Sequence, residues 1–391
     1  MLILIITISN DNMKKFSVLI FLFTIIFNAS AANDSLYNVL DTAKAEVRVN
    51  TLNELAKVLI NSEPKKALDH TREALDLSIK LDYKRGIASC YNNLGVLYKN
   101  QGIFDKALDY YVKSMNINEL IENTNGIALT KVNIGNIYSI KEDYDRAIEY
   151  FTDTYILLKE SDNKRAMIGV LNNMGNAYLD KGDQDKALEY FTQAVDMYEA
   201  IGKKGDAFDP LNSLGNIYFY KEDYQRALDY YSLSLMIEEE KNNKFGQAYA
   251  HNNIGITYYN KGDFKSAESH ENHALELANE IKANTLLKEI FKALSETYYS
   301  QHRLDEAFQT RVKYDEMKDL LYNEESSRKL ARIEVAFELQ QHEKEIEIAK
   351  KESTINQLED QNNKKFIIVS IMGAMLFLAA LFIYISLKKR K

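Results

Sequence analysis

Apolar residues recur at helical spacing in short stretches that are separated by polar breaks. The stretch YNNLGVLY (91–98) has apolar residues three and four positions apart, KNQGIFD (99–105) interrupts it, and ALDYYVKSM (107–115) resumes it. This spacing places the apolar side chains on one face of an α-helix, and the polar interruption is typical of a turn. The segment therefore predicts two amphipathic helices joined by a turn.

The same helix pair recurs at a period of 40 residues. An alanine marks each copy, a glycine stands twelve residues before most of these alanines, and a tyrosine stands three residues after the glycine position. The residues are Ala67, Ala107, Ala147, Ala187, Ala227, Ala267 and Ala307; Gly95, Gly135, Gly175, Gly215 and Gly255, with Ser295 in the last copy; and Tyr98, Tyr138, Tyr178, Tyr218, Tyr258 and Tyr298. The first copy departs from the pattern, with Leu55 and Val58 at the glycine and tyrosine positions. A repeat of this length predicts an all-α fold, an α-solenoid of about seven stacked helix pairs over residues 32–315.

Small residues at the glycine and alanine positions are expected to let the two helices of a pair approach closely, with tyrosine and phenylalanine filling the space between pairs. Gly102, Gly182 and Gly262 stand where a helix ends, and we expect left-handed backbone there. Glu142 and Glu222 take the same place in other copies, so a glycine is not required.

The two ends of the chain have a different pattern. Met13-Lys14-Lys15, an apolar run and small residues up to Ala31 predict an export signal over 1–31, with Met13 as the start and Ala32 as the mature N-terminus. Residues 366–387 contain no charge, which predicts a transmembrane helix. The basic tail 388–391 should stay in the cytoplasm, which places the repeats outside it.

Residues 316–365 form a charged segment of high helix propensity that precedes this span. Apolar residues recur there in seven-residue steps that do not share one register, as with Leu330 and Phe337 against Ile348 and Ile355. This predicts a stem that is either a weak coiled coil, through which two copies would dimerise, or a single solvated helix.

Charge and cysteine content exclude several classes of function. The ends carry a net +1 (1–31) and +6 (364–391) out of a total of −8, which leaves −15 for residues 32–363. A body this acidic is a poor nucleic-acid binder. The single cysteine, Cys90, excludes an internal disulfide and a four-cysteine zinc site, and is expected to be a small buried residue.

The repeated residues resemble the tetratricopeptide repeat. Leu94-Gly95, Tyr98, Ala107, Tyr111 and Ser114 match its pattern, as do Met174-Gly175, Tyr178, Ala187, Phe191 and Ala194 in another copy. The resemblance covers about residues 44–315 and implies a non-catalytic scaffold that binds proteins or peptides. The period of 40 is similar to the long-helix branch that includes kinesin light chains and peptide-pheromone receptors of Gram-positive bacteria.

Asparagines recur on the first helix of each pair, which in such a solenoid lines the concave groove. The candidate groove residues are Asn93, Asn133, Asn173, Asn253, Asn136, Asn176 and Asn216. An amide side chain both donates and accepts hydrogen bonds, which suits it to hold the backbone of an extended peptide. The alternative is that these amides bond the neighbouring repeat and set its orientation, and the sequence favours neither.

Catalytic motifs are lacking in the sequence: no phosphate-binding glycine loop, HExxH or nucleophile elbow occurs. His270, Glu271 and His273, with His251, offer too few ligands to predict a metal site, so we expect no cofactor and no metal.

The order of segments leaves two functional interpretations. The first is a membrane-anchored, non-enzymatic protein on the outer side of a bacterial cytoplasmic membrane that binds a peptide or protein partner in its groove. The second is the sensor module of a signalling receptor whose histidine kinase or transcriptional output is missing or supplied by another chain, because the order resembles the sensor half of such bacterial proteins.

Overall fold

A computed structural model describes residues 35–203 and 206–388, and within these ranges the chain is helical, without a β-strand. The helices, numbered in chain order from α1 (35–42), are Ala45–Leu59 (α2), Pro64–Lys80 (α3), Lys84–Asn100 (α4), Phe104–Leu120 (α5), Thr124–Ile140 (α6), Tyr144–Glu160 (α7), Lys164–Asp180 (α8), Gln184–Ala200 (α9), Phe208–Tyr220 (α10), Tyr224–Glu240 (α11), Lys244–Lys261 (α12), Phe264–Glu280 (α13), Asn284–Ser300 (α14) and Leu304–Lys388 (α15). Pairs beginning with α2, α4, α6, α8, α10, α12 and α14 form repeats 1 to 7. The predicted all-α solenoid of helix pairs is confirmed.

The period of 40 is built from two units of 20. Most helices from α3 to α14 have 17 residues, and a three-residue turn separates most of them from the next helix. A residue with positive φ occurs at every twentieth position: Asp82, Gly102, Glu122, Glu142, Asp162, Gly182, Gly202, Glu222, Asn242, Gly262, Lys282 and His302. The turn within a repeat and the turn between repeats therefore have the same backbone conformation.

Each turn satisfies the carbonyl groups at the end of the preceding helix. The N–H of Ile103 donates to the carbonyl of Tyr98 at 3.0 Å, and the N–H of Asp183 donates to Tyr178 at 2.8 Å. This bond is typical of a helix that ends on a left-handed residue. The predicted left-handed backbone at Gly102, Gly182 and Gly262 is confirmed. Glutamate takes the same conformation in other repeats, with φ of 60° at Glu142 and 59° at Glu222.

A glycine on the first helix and an aromatic residue on the second pack against each other and hold the two helices of a repeat together. An added Cβ at Gly135 would lie 2.6 Å from the ring of Phe151, and one at Gly175 would lie 2.6 Å from the ring of Phe191. Both rings are 1% exposed. The aromatic side chain thus occupies the volume that a side chain on the first helix would need, which explains why glycine is required there.

Tyrosine pairs form a second periodic contact within repeats 2 to 5. Tyr178 and Tyr190 stack with ring centroids 5.3 Å apart, and Tyr218 and Tyr230 stack at 5.5 Å. A basic side chain from the second helix covers the first ring of the pair, with Lys186 over Tyr178 at 4.9 Å and Arg226 over Tyr218 at 5.2 Å. Such a cation over an aromatic face contributes about 0.5–1 kcal/mol at an exposed site.

First helices of neighbouring repeats contact one another directly along most of the array, as α2 with α4, α4 with α6 and α12 with α14. Contact between successive first helices places them on the inner side of the curve, and the second helices follow the outer side. The groove is defined here as the concave surface formed by α4, α6, α8, α10 and α12.

The chain divides into two compact units between Leu330 and Ala331. The first unit contains the repeats; the second contains the C-terminal part of α15, which includes most of the predicted stem and the predicted span. The predicted export signal, residues 1–31, and residues 389–391 of the basic tail lie outside the described residues. In the described part of the chain, no helix meets the length and apolar character of a membrane span. The transmembrane helix at 366–387 stays a prediction.

Candidate functional site

Three of the predicted groove asparagines bond the preceding repeat. The Nδ2 of Asn93 donates to the side-chain oxygen of Asn53 at 3.0 Å, and the Nδ2 of Asn133 donates to Asn92 at 2.9 Å. The Nδ2 of Asn253 lies 3.5 Å from the side-chain oxygen of Asn212, at the limit of a hydrogen bond. These amides link first helices of successive repeats, which is the structural role that the sequence left open.

Asn93 is the clearest case, because it is 1% exposed and also donates to the backbone carbonyl of Asn53. A side chain with this burial has no surface to offer to a ligand. We therefore leave Asn93 out of the candidate site, although the sequence placed it among the groove residues.

A central cavity of about 530 Å³ opens on the groove at repeats 4 to 6. Amide and hydroxyl groups from α8 and α10 line one part of it, and two aromatic residues from α12 line another. Its residues are Gly169, Asn172, Asn173, Asn176, Asp209, Asn212, Ser213, Asn216, Phe245 and Tyr249. Side chains from three successive repeats thus converge on one open space.

Three of the seven predicted residues line this central cavity: Asn173, Asn176 and Asn216. Asn176 is exposed, whereas Asn173 and Asn216 are half-buried. The Oδ1 of Asn216 accepts a hydrogen bond of 2.6 Å from the hydroxyl of Tyr231, the core aromatic residue of repeat 5. Asn136 holds the corresponding position in repeat 3 and is also half-buried.

A second cavity of about 380 Å³ lies nearer the N-terminus of the array, at repeats 1 to 3. Amide side chains line it again, among them Asn92 and Asn125, together with the basic residues Lys57 and Arg85. Arg85 is exposed, and Lys57 forms an ion pair with Glu54 at 2.6 Å. The groove therefore has a basic region at this end and an acidic residue, Asp209, in the central cavity.

Sequence reasoning missed Gly169, Asp209, Tyr249 and Phe245. The first three are spaced 40 residues apart and hold one position of the repeat, three residues before Asn172 and Asn212 of repeats 4 and 5. The fixed period, extended by one helical turn toward the N-terminus of each first helix, contains the signal for them. It is weak because the three residue types differ.

The histidines of repeat 6 lie together, as their spacing suggested. The Nδ1 atoms of His251 and His270 are 2.9 Å apart, and His273 stacks on His251 with ring centroids 5.4 Å apart. Burial, together with the charges of the neighbouring His270 and His273, lowers the pKa of His251 to about 4. Among the described residues no group of three or more His, Cys, Asp or Glu side chains is arranged to hold a metal ion.

Glu271 occupies the position at which repeats 2 to 5 carry a core aromatic residue. It is fully buried; its Oε1 accepts a 3.1 Å hydrogen bond from the Thr297 hydroxyl, and its Oε2 lacks a partner among the described residues. Burial raises the pKa of Glu271 to about 7, and the bond from Thr297 opposes that rise. The sixth repeat thus has a titratable group where the others have an aromatic ring.

Cys90 is buried, and its thiol lies 3.4 Å from the side-chain oxygen of Asn53. Burial raises its pKa to about 12. A thiol with so little thiolate at neutral pH is unreactive, which agrees with the packing role expected from the sequence.

Sequence profiles of the tetratricopeptide repeat match residues 87–123, 126–200 and 206–280. A comparison with curated proteins gives no match.

Solved structures with the same fold have low sequence identity. A signal transduction ATPase with numerous domains from Pyrococcus horikoshii, which has a tetratricopeptide repeat sensor, is 17% identical, with a TM-score of 0.62; the match covers 80% of this chain and 48% of that one, so the chain spans about half of it. Aspartyl phosphate phosphatase F from Bacillus subtilis is 12% identical, with a TM-score of 0.54 and coverage of 80% and 85%. A Rap protein complexed with Competence and Sporulation Factor is 15% identical, with a TM-score of 0.52 and coverage of 81% and 89%.

These structures share the stacked helix pairs, and the matched profiles cover the repeats that form the central cavity. The glycine, tyrosine and alanine positions that defined the period in the sequence are the ones that pack the helix pairs in the structure. The matched profiles and the repeat register show that residues 87–123, 126–200 and 206–280 of this chain are tetratricopeptide repeats.

Proposed function

We propose that this chain is a membrane-anchored, non-enzymatic scaffold whose groove binds an extended peptide segment of a partner protein. The observation that carries the proposal is the central cavity, where Asn173, Asn176 and Asn216 from two successive repeats face one open space. Asn176 is exposed, so it does not hold the repeats together in the way that Asn93 does.

Amide side chains suit the backbone of a peptide rather than a particular side chain. An extended segment presents alternating N–H and C=O groups, and each asparagine offers one acceptor and two donors. A row of amides therefore holds such a segment through its backbone. The Rap protein complexed with Competence and Sporulation Factor shows that this fold accommodates a bound factor in that protein.

The apolar residues near the C-terminus support the anchor. Residues 366–387 contain no charged side chain. Phe366, Val369 and Leu376 are 74%, 67% and 70% exposed. A segment of this composition is stable where its apolar side chains leave water, as in a bilayer. The basic residues 388–391 favour a cytoplasmic tail, with the repeats on the outer side of a bacterial cytoplasmic membrane.

The groove is tested by filling the central cavity without disturbing the fold. An added Cβ at Gly169 meets no atom within 4 Å, so Gly169→Leu places its side chain in open space. Bead-displayed random ten-residue peptides are selected on the full chain in detergent, and the Kd of the tightest binders is measured. We expect Gly169→Leu to abolish binding of these peptides.

The control is Thr192→Leu, which places the same leucine side chain at an exposed position on α9, the second helix of the same repeat. It should bind the selected peptides as the wild type does. Equal binding by Gly169→Leu and the wild type, or a library that yields no binder, would refute a peptide site in the groove.

Membrane topology is tested separately with reporter fusions. A reporter that is active only outside the cytoplasm should be active when fused after Asp315 and silent when fused after Lys391. The opposite pattern would refute the proposed orientation, and a soluble protein in cell fractionation would refute the anchor.

A further inference from the structure

The surface of the central cavity changes its chemistry from one repeat to the next. Gly169 in repeat 4, Asp209 in repeat 5 and Tyr249 in repeat 6 occupy one position of the repeat, and all three line the cavity. A ligand that runs along the groove therefore meets an open space, then a carboxylate, then an aromatic ring. The amides Asn172 and Asn212 run beside this row.

The aromatic part of the cavity is accessible. Phe245 is 51% exposed and stands one helical turn before Tyr249 on α12, so both rings lie on the same face of that helix. An exposed aromatic residue beside a second ring in a concave surface forms a subsite for an apolar side chain. Amides alone would give the groove no preference for such a side chain.

Asp209 gives the cavity its negative charge. It is exposed, lies in the first turn of α10, and forms no ion pair with a residue in 35–203 or 206–388. It is also the only charged residue among those that line the cavity in the described structure. A carboxylate at the start of a helix is stabilised by the helix dipole, and it remains available to a cation from the ligand.

The spacing between these features sets a spacing in the peptide. Packed helices lie about 8–10 Å apart, and an extended chain advances about 3.3 Å per residue. One repeat of the groove thus corresponds to about three residues of peptide. The peptide residue that contacts Asp209 and the peptide residue that contacts Phe245 and Tyr249 are then two to four positions apart in the peptide sequence.

We propose that the central cavity selects a peptide with a lysine or arginine side chain at Asp209 and an apolar side chain, two to four residues away, against Phe245 and Tyr249. The backbone of this peptide lies along the asparagine row. The inference rests on the proposed function and adds sequence specificity to it. Arg85 at the second cavity disfavours a basic side chain there, so we expect the selection for one at the centre of the groove.

The test compares the peptides selected from the random ten-residue library by the wild type and by three variants. The wild type should enrich sequences that combine a basic residue with an apolar residue two to four positions away. Asp209→Asn should bind these peptides about 1.4- to 5-fold more weakly, the range for one exposed charge pair. Asp209→Lys should enrich glutamate or aspartate in place of the basic residue.

Phe245→Ala should remove the enrichment for the apolar residue and keep that for the basic one. A role of Asp209 in capping α10 would change the stability of the protein and leave the peptide preference unchanged, so the selected sequences separate the two roles. An unbiased set of peptides, or the same preference after Asp209→Lys, would overturn the proposed specificity.

The Gly169→Leu variant separates this inference from the proposed function. If Gly169→Leu abolishes binding of the selected peptides but these peptides show no basic and apolar pair, the groove binds peptides and the proposed sequence specificity is wrong. If Gly169→Leu has no effect on binding, the peptide site itself is wrong.

Discussion

Repeats 4 and 6 follow the same 40-residue pattern but differ at the core aromatic position and at the position next to it. In repeat 4 the core position holds Phe191, packed against Gly175. In repeat 6 the same position holds Glu271, packed against Gly255, and His270 stands where repeat 4 has Tyr190. The helices have nearly the same length and the same turn in both repeats.

The groove differs between them as well. Repeat 4 presents Gly169 and Asn176, whereas repeat 6 presents Tyr249 and Ile256 at those positions. Repeat 6 thus keeps the helix-pair architecture with a buried carboxyl and a histidine cluster in place of aromatic residues. Residues that recur in every repeat therefore pack the array. Residues that differ between repeats give individual repeats their own chemical properties.

The largest effect expected from this comparison is at the core aromatic residue. Phe191→Ala removes a ring that is 1% exposed and leaves a cavity against Gly175, which should cost about 3–5 kcal/mol of stability. Chemical denaturation of the full chain in detergent measures the loss. A cost below about 1 kcal/mol would show that this ring does not hold the repeat together.

The second effect concerns the pH dependence that Glu271 gives to repeat 6. Its folded pKa of about 7 lies above the ordinary value of 4.5, so its contribution to stability is fully present below pH 4.5 and is lost as the pH rises through 7. From pH 5.5 to pH 8 the loss is about 2 kcal/mol. Glu271→Gln, which stays neutral, should lack this decrease.

His251 changes stability in the opposite direction. Its pKa is lowered to about 4, so the stability that comes from its neutral form is lost as the pH falls below 6.5. Comparing the wild type with Glu271→Gln at each pH cancels the histidine contribution. Parallel stability curves for the two proteins between pH 5.5 and pH 8 would contradict the burial of an ionisable Glu271.

A third, smaller effect separates two glycines on the same helix. Gly175→Ala places a methyl group 2.6 Å from the ring of Phe191 and should destabilise the protein by about 1–3 kcal/mol. Gly169→Ala meets no atom within 4 Å and should stabilise α8 by about 0.5–1 kcal/mol, because alanine favours the helix. Equal effects of the two substitutions on the melting temperature would show that the glycine at position 175 is not required for packing.

Most of the array could be predicted from the sequence because its packing is periodic. The glycine, tyrosine and alanine positions are read directly from intervals of 40, and the left-handed turns at Gly102 and Gly182 follow from their place at helix ends. The sequence did not predict that the turns between repeats have the same left-handed residue, because Asp82 and Glu122 stand there instead of glycine.

The candidate site could be predicted only in part. The spacing identified the asparagine rows, but it could not tell that Asn93 turns toward Asn53 while Asn176 stays exposed, because their two positions in the repeat are three residues apart and share one face of the first helix. Asp209 and Phe245 occur once each rather than periodically, so a search for repeated residues passes over them. Their role depends on which side chains three different repeats bring to one cavity.

The central claim is that the asparagines of the first helices divide into amides that bond the repeats and amides that face a peptide. The most direct measurement compares Asn93→Ala with Asn176→Ala, recording for each the free energy of unfolding and the Kd for the tightest peptide selected by the wild type. Asn93→Ala should lose about 1–3 kcal/mol of stability, because two buried hydrogen bonds to Asn53 are removed, and bind with an unchanged Kd. Asn176→Ala should stay within about 0.5 kcal/mol of the wild type in stability and bind the peptide several-fold more weakly. A loss of stability in Asn176→Ala with unchanged binding, or weakened binding in Asn93→Ala with unchanged stability, would contradict the division.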